Sequence, residues 1–141
     1  MDDMDQRLIN LLVSNGRESM TALARKLGVS RSTAQERVRR LEDRNIIGGY
    51  TIRLNEAHAT RQITAHVSMQ LNPKFADQIL QNLKKIPLIK AVYAVSGIYD
   101  MITLVKAETT EEIDSTLDKI GRMDGVKKTT SSIVLSTKFE I

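Results

Sequence analysis

Apolar residues recur at helical spacing through the first third of the chain and at alternate positions through much of the rest, so the pattern itself divides the sequence. Met4, Leu8, Leu11 and Leu12 fall on one face behind a run of aspartates, where a helix dipole favours negative charge, and predict a first helix ending near Asn15-Gly16. Leu23, Ala24 and Leu27 predict a second helix over 21–27, closed by Gly28, a residue able to take positive φ. Ser30 is a good N-cap, and Ala34, Val38 and Leu41 repeat along a third helix reaching about Arg44. Beyond it, Gly48-Gly49 reads as a turn, with Tyr50, Ile52 and Leu54 alternating against Thr51 and Arg53, which predicts a small hairpin over 46–54.

Residues 55–62 are polar and lack an apolar period, as a linker does. The period then becomes that of a strand at Ile63, Ala65, Val67, Met69 and Leu71. A helix is predicted over 74–85, with Phe75, Ile79, Leu80 and Leu83 as its stripe, and strands over 89–95 and 101–107. A second helix follows, capped by Thr109 or Thr110 and carrying Ile113, Leu117 and Ile120, and a last strand runs over 126–139. The expected fold is α+β: a winged helix-turn-helix over 1–54, the linker 55–62, and a βαββαβ ferredoxin-like domain over 63–141. Val67, Met69, Val92, Ala94 and Leu104 make both surfaces of the predicted sheet partly apolar, which calls for a homodimer to cover one of them.

Charge sharpens the picture. The net charge of +4 is modest, but residues 1–53 carry ten Lys or Arg against seven Asp or Glu, whereas 54–141 carry eleven against ten. Nine of those ten cations are arginine, whose planar fork suits phosphates and guanine edges. With the third helix in a major groove, Arg31, Ser32, Thr33, Gln35, Glu36 and Arg39 could face base edges, and Arg40, Arg44 and Arg53 phosphates, making double-stranded DNA the expected partner. The alternative is a solvated arginine face, partly neutralised by Glu36, Glu42 and Asp43. The sequence has no cysteine, no apolar run long enough to span a bilayer and an acidic start unlike a secretory signal, so disulfides, thiolate metal sites and membrane insertion are not expected and the chain reads as cytoplasmic.

The run Glu36-Arg37-Val38-Arg39-Arg40-Leu41-Glu42 leading into Ile46-Ile47-Gly48-Gly49-Tyr50, with Asp2, Asp5, Leu8-Ile9 and Asn15-Gly16-Arg17 before it, resembles the Lrp/AsnC family of feast/famine regulators. In the second half, Val95-Ser96-Gly97-Ile98-Tyr99-Asp100 is similar to the family's glycine, polar, aromatic, aspartate loop, and Gly125-Val126 with Thr129-Thr130-Ser131 to its last strand. The resemblance spans essentially the whole chain. It implies a transcriptional regulator that binds promoter DNA as dimers or rings of dimers, tetramers or octamers, and responds to an amino acid or similar small molecule docked between dimers. The effector residues it implies are Gly97, Ile98, Tyr99 and Asp100, with hydroxyls from Thr129, Thr130 and Ser131. A loop aspartate can receive an ammonium, and free backbone amides a carboxylate. Equally, Gly97 could simply turn a hairpin, Tyr99 pack on the sheet, and 129–132 be ordinary strand. The chain departs from the family at Ile98, where a polar residue is common, and at the linker, which begins Asn55-Glu56-Ala57 rather than Asn-Pro.

Some proteins of this architecture are siroheme decarboxylases, in which basic and histidine residues handle a tetrapyrrole, so an enzyme is the competing reading. Neither His58 in the linker nor His66 in a strand has the spacing of a metal pair, and no phosphate loop or nucleophile elbow is present. No cofactor, metal or catalytic residue is therefore expected.

Overall fold

The computed structural model of the chain describes residues 1–55 and 61–140, in two compact units, Met1–Leu54 and Asn55–Ile141. His58 and the middle of the linker fall outside the described residues.

The first unit holds α1 (Asp3–Ser14), α2 (Met20–Leu27) and α3 (Arg31–Asp43). Each begins on a side chain that accepts a backbone N–H: Asp2 from Asp5, Ser19 from Ala22 and Ser30 from Thr33. Gly28 closes α2 in the left-handed region at φ 72°, which permits the tight turn into α3. The apolar stripes converge on one small core of Leu8, Leu23, Leu27, Val38 and Leu41.

No hairpin forms over 46–54, and the described residues there contain no strand. The amides that would begin its first arm are already used. Ile46 and Ile47 both donate to the Leu41 carbonyl, at 2.9 and 3.1 Å, and so finish α3, which turns through Asn45 at φ 53°. Ile47 packs on the core, while Tyr50 is tied by a 2.7 Å bond to Glu42.

The second unit has the order β1 (Ile63–Leu71), α4 (Ala76–Lys84), β2 (Ile89–Ala94), β3 (Met101–Ala107), α5 (Thr110–Gly121) and β4 (Val126–Ile133), the βαββαβ sequence of a ferredoxin-like domain. The antiparallel sheet runs β2-β3-β1-β4. A 3₁₀ turn at Pro73–Phe75 precedes α4, so the helix starts two residues later than its apolar stripe suggests. Thr109 caps α5 in a reciprocal box with Glu112. The last strand stops at Ile133 rather than 139, because its partner β1 begins at Ile63 and the final bond, Val134 N–H to Thr64 carbonyl, exhausts it.

Strand alternation decides which residues the helices cover. Ala65, Val67, Met69 and Leu71 of β1 and Val105 and Ala107 of β3 are buried with Ile79, Leu83, Ile113 and Ile120 of the helices. This corrects the expected grounds for an apolar second face. Val67 and Met69 lie in the core, Val92 packs against it, and Ala94 pairs with Met101 on that same side, so of the five residues only Leu104 faces away. The open face instead carries Ile102, Leu104 and Tyr93 beside His66, Ser68 and Thr130.

The junction into β4 depends on Gly125, at φ 90°, whose carbonyl accepts from the Asn72 amide at 2.7 Å. A Cβ added there would collide with the Phe75 side chain. Gly125→Ala therefore combines backbone strain with overpacking, and urea unfolding should show a loss of about 2–3 kcal/mol; a loss below about 0.5 kcal/mol would mean that this junction yields freely.

Candidate nucleic-acid interface and effector loop

The buried stripe of α3, Ala34, Val38 and Leu41, fixes which way its other residues point. Arg31, Ser32, Thr33, Gln35, Glu36, Arg39 and Arg40 are exposed on the remaining surface, as are Arg44 at the C-cap and Arg53 in the following segment. The structure thus brings the helical members of the expected set onto one solvent-facing helix. Among the described residues Arg39 meets only Asp43, at 3.8 Å with both side chains largely exposed, a pair of little energetic consequence.

The neutralisation expected from acids on α3 itself is not the main ionic feature. Glu42 is engaged by Tyr50, and burial together with that hydrogen bond pushes the Tyr50 phenol up to about 12. The strong ion pairs run from α3 back to the start of α1. Arg37, absent from the expected site, donates through Nη1 to both oxygens of Asp2, at 2.9 and 2.8 Å, and to Asp5 Oδ1 at 2.7 Å. Arg40 reaches the same Asp5 through Nη2, at 3.2 and 3.3 Å. Asp2 and Asp5 are also the N-cap and N3 residues of a capping box, so one carboxylate pair serves the helix end and the cations together. A sequence signal for this exists, two aspartates and two arginines each spaced by three, but nothing local joins positions more than thirty apart.

These contacts move the carboxyls. The Arg37 hydrogen bond and the Asp5 amide lower Asp2 to about 2. Burial pushes Asp5 up, but hydrogen bonds from Arg37 and the Asp2 amide outweigh it and leave Asp5 below its ordinary value.

In the second unit the segment after β2 is fastened to its surroundings. Val95 N–H donates to the Asp100 carbonyl at 3.0 Å, Asp100 N–H to Met69 at 2.8 Å, and Gln70 Nε2 to the Ile98 carbonyl at 2.8 Å. Asp100 Oδ2 accepts from the Leu71 amide at 2.9 Å. Gly97 takes φ 122°, and Ile98 stands 78% exposed. Tyr99 Oη lies 2.7 Å from Thr130 Oγ1, a bond that passes the intervening β1 to reach β4. The expected hydroxyl trio is therefore divided. Thr130 pairs with Ser68 on the open face, whereas Thr129 and Ser131 pair with Met69 and Val67 and belong to the opposite one. The backbone amides of Val95 and Asp100 and one Asp100 carboxylate oxygen are thus already occupied.

A helix-turn-helix joined to a βαββαβ domain with a fastened loop defines a helix-turn-helix transcriptional regulator that carries a ligand-binding domain. Residues 1–42 match the AsnC-type helix-turn-helix domain and residues 64–140 the Lrp/AsnC ligand binding domain. The chain belongs to the Lrp/AsnC family. It is 30% identical over 135 residues to an HTH-type transcriptional regulator of Pyrococcus furiosus, covering 96% of this chain and 91% of that protein. It is 29% identical to the HTH-type transcriptional regulator FL11 of Pyrococcus horikoshii, covering 99% and 93%. Among solved structures, Escherichia coli AsnC superposes with a TM-score of 0.88 at 22% identity over 100% of this chain and 96% of that one. The regulator NMB0573 of Neisseria meningitidis, solved as a complex with L-Met, gives 0.87 at 21% identity over 99% and 93%; both likenesses are of fold.

Asp2 and Asp5 have folded-state pKa values below their unfolded ones, so the stability they add is complete above the ordinary carboxylate pKa of about 4 and is lost as pH falls through the folded values, about 2 for Asp2. Helix melting followed by circular dichroism should show a midpoint that is level above about pH 5 and falls towards pH 2, with a smaller fall in Asp2→Asn. An identical fall in that variant would remove Asp2 as a source.

Proposed function

We propose that the protein recognises double-stranded DNA through the outer face of α3, as a homodimer that assembles further, and that an amino acid or similar small molecule acting at the 97–100 loop alters assembly and DNA affinity. The observation that carries this reading is the helix itself. It buries a narrow stripe and leaves Arg31, Ser32, Thr33, Gln35, Glu36 and Arg39 directed outward, in the position from which a recognition helix reads base edges. Arg40, Arg44 and Arg53 are the phosphate contacts, supplying affinity that falls as salt rises. Ile102, Leu104 and Tyr93 on the open sheet face are the apolar surface a second copy would cover.

The effector reading draws support from the match to the ligand-binding domain and from the L-Met complex of NMB0573. Among the described residues nothing donates to Asp100 Oδ1, which leaves it for an ammonium while Oδ2 accepts the Leu71 amide, and exposed Ile98 favours an effector with an apolar side chain. A ligand shifts assembly only by its difference in affinity between the two states. Residues 55–62 join the two domains in this reading.

Fluorescence anisotropy on duplex from upstream of the protein's own gene, against a scrambled duplex and across a salt series, tests the DNA half. Arg39→Ala should weaken specific binding by about 1–3 kcal/mol and relax sequence preference, and unchanged binding to every duplex would exclude α3 as the reader.

The loop is tested separately. With an amino-acid panel in the same assay, Asp100→Ala should abolish whatever response the unaltered protein gives, while sedimentation shows the dimer retained. A response that survives Asp100→Ala intact would make the loop structural.

A further inference from the structure

Asp5 has an unusual position for a charged residue. It is 2% exposed, at the start of a helix that does not itself present the arginine face, yet it holds both Arg37 and Arg40 of the helix that does. Its oxygens are fixed independently of Arg40: Oδ1 by Arg37 at 2.7 Å and Oδ2 by the Asp2 amide at 3.1 Å. Arg37 makes this grip through Nη1, which reaches three carboxylate oxygens, and its side chain is only 21% exposed.

Arg40 is placed differently. Its side chain is 45% exposed, and it gives Asp5 a single terminal nitrogen at 3.2–3.3 Å. A guanidinium has five N–H groups in a rigid plane, so fixing one nitrogen also fixes where the others point. Among the described residues, no protein group accepts from Arg40 Nε or Nη1, and the side chain borders an open recess of about 300 Å³ that Ser32, Thr33, Glu36 and Arg37 also line. A free arginine loses most of its rotamers when it closes on a phosphate, and one already held loses fewer.

We propose that Asp5 is a positioning residue for DNA binding: anchored by Arg37 and the α1 cap, its carboxylate holds Arg40 by one nitrogen and presents the rest of the guanidinium to a backbone phosphate. The proposal rests on the reading that the outer face of α3 meets DNA. It assigns the two adjacent arginines different tasks, Arg37 securing the carboxylate and Arg40 using it. Because the cluster of Asp2, Asp5, Arg37 and Arg40 is neutral as a whole, Arg40 acts at contact range more than through a long-range field.

The test is a mutant cycle on the full chain, read by anisotropy on a scrambled duplex across a salt series, with circular dichroism to establish folding. Arg40→Gln should weaken binding and make the slope of log affinity against log salt shallower by about 0.9, one phosphate contact. Asp5→Asn keeps the cation, so it should lower affinity about 3- to 10-fold at an unchanged slope, and should cost nothing further when added to Arg40→Gln. An additive loss in the double variant would show that Asp5 acts through the fold alone. Tighter binding by Asp5→Asn would show that Asp5 competes with DNA for Arg40, and either result overturns the proposal. Where Asp5→Asn does not fold, Arg40→Lys decides: a compact ammonium cannot hold Asp5 and extend a planar fork to a phosphate, so binding should drop at an unchanged slope, and wild-type affinity would overturn the proposal. Arg39→Ala, measured on the upstream duplex where base reading contributes, separates the levels of failure. If neither Arg39→Ala nor Arg40→Gln alters binding, the interface on α3 is itself wrong; if Arg39→Ala weakens binding and Arg40→Gln does not, only the role given to Asp5 and Arg40 fails.

Discussion

The helix proposed to meet DNA gives its own core very little. Ala34, Val38 and Leu41 are all that α3 buries, and one of them is an alanine. A helix with four arginines and three acids on its other positions gains little from propensity alone, so its placement depends on what holds it from outside. The Ser30 cap fixes its start, the Leu41 carbonyl takes two amides at its end, and the Asp2/Asp5 pair grips its flank. The polar contacts do what a wider apolar stripe would do elsewhere, and they leave the outer surface free of packing obligations.

The second unit solves a different problem with the opposite means. Its helices cover the middle of one sheet face, with Met69, Ile79, Leu83, Val105 and Ile120 at zero exposure. Polar residues of β1 and β4 then share the other face with Ile102, Leu104 and Tyr93, and at the β4 edge Lys127 and Lys128 discourage pairing with a stray strand. In the first unit the exposed polar surface lies on a helix packed by few residues, and in the second on a sheet packed by many. The proposed reader and the proposed sensor thus stand on supports of very different stiffness.

The order of elements was legible because period and punctuation agreed: Leu23, Ala24 and Leu27 before Gly28, Ser30 before Ala34, and Ile63 to Leu71 alternating without a break. The residues exposed on α3 were legible for the same reason, since a helix has one face to bury. What sequence could not show was competition for the same atoms. Ile46 and Ile47 look like the first arm of a hairpin until their amides are needed to close α3. Val67, Met69 and Ala94 look like candidates for either sheet surface until pairing register places all three on one. Thr129, Thr130 and Ser131 look like one cluster until the pleat sends the middle one the other way. Arg37 looked no different from its neighbours, because its partners are two aspartates at the far end of the domain's sequence.

The loop at 95–100 is bound to β1 by three hydrogen bonds and to β4 by the Tyr99 hydroxyl, so it behaves as an extension of the sheet. A surface of that kind has its shape before any ligand arrives. In the proposed sensor role it would select by fit rather than by folding around its guest, and association would carry little ordering entropy. It also joins strands that are not hydrogen-bonding neighbours, since Tyr99 adjoins β3 and Thr130 belongs to β4. Any molecule that displaced the Tyr99 hydroxyl would therefore loosen an outer strand of the sheet, at a distance from wherever the rest of that molecule sat.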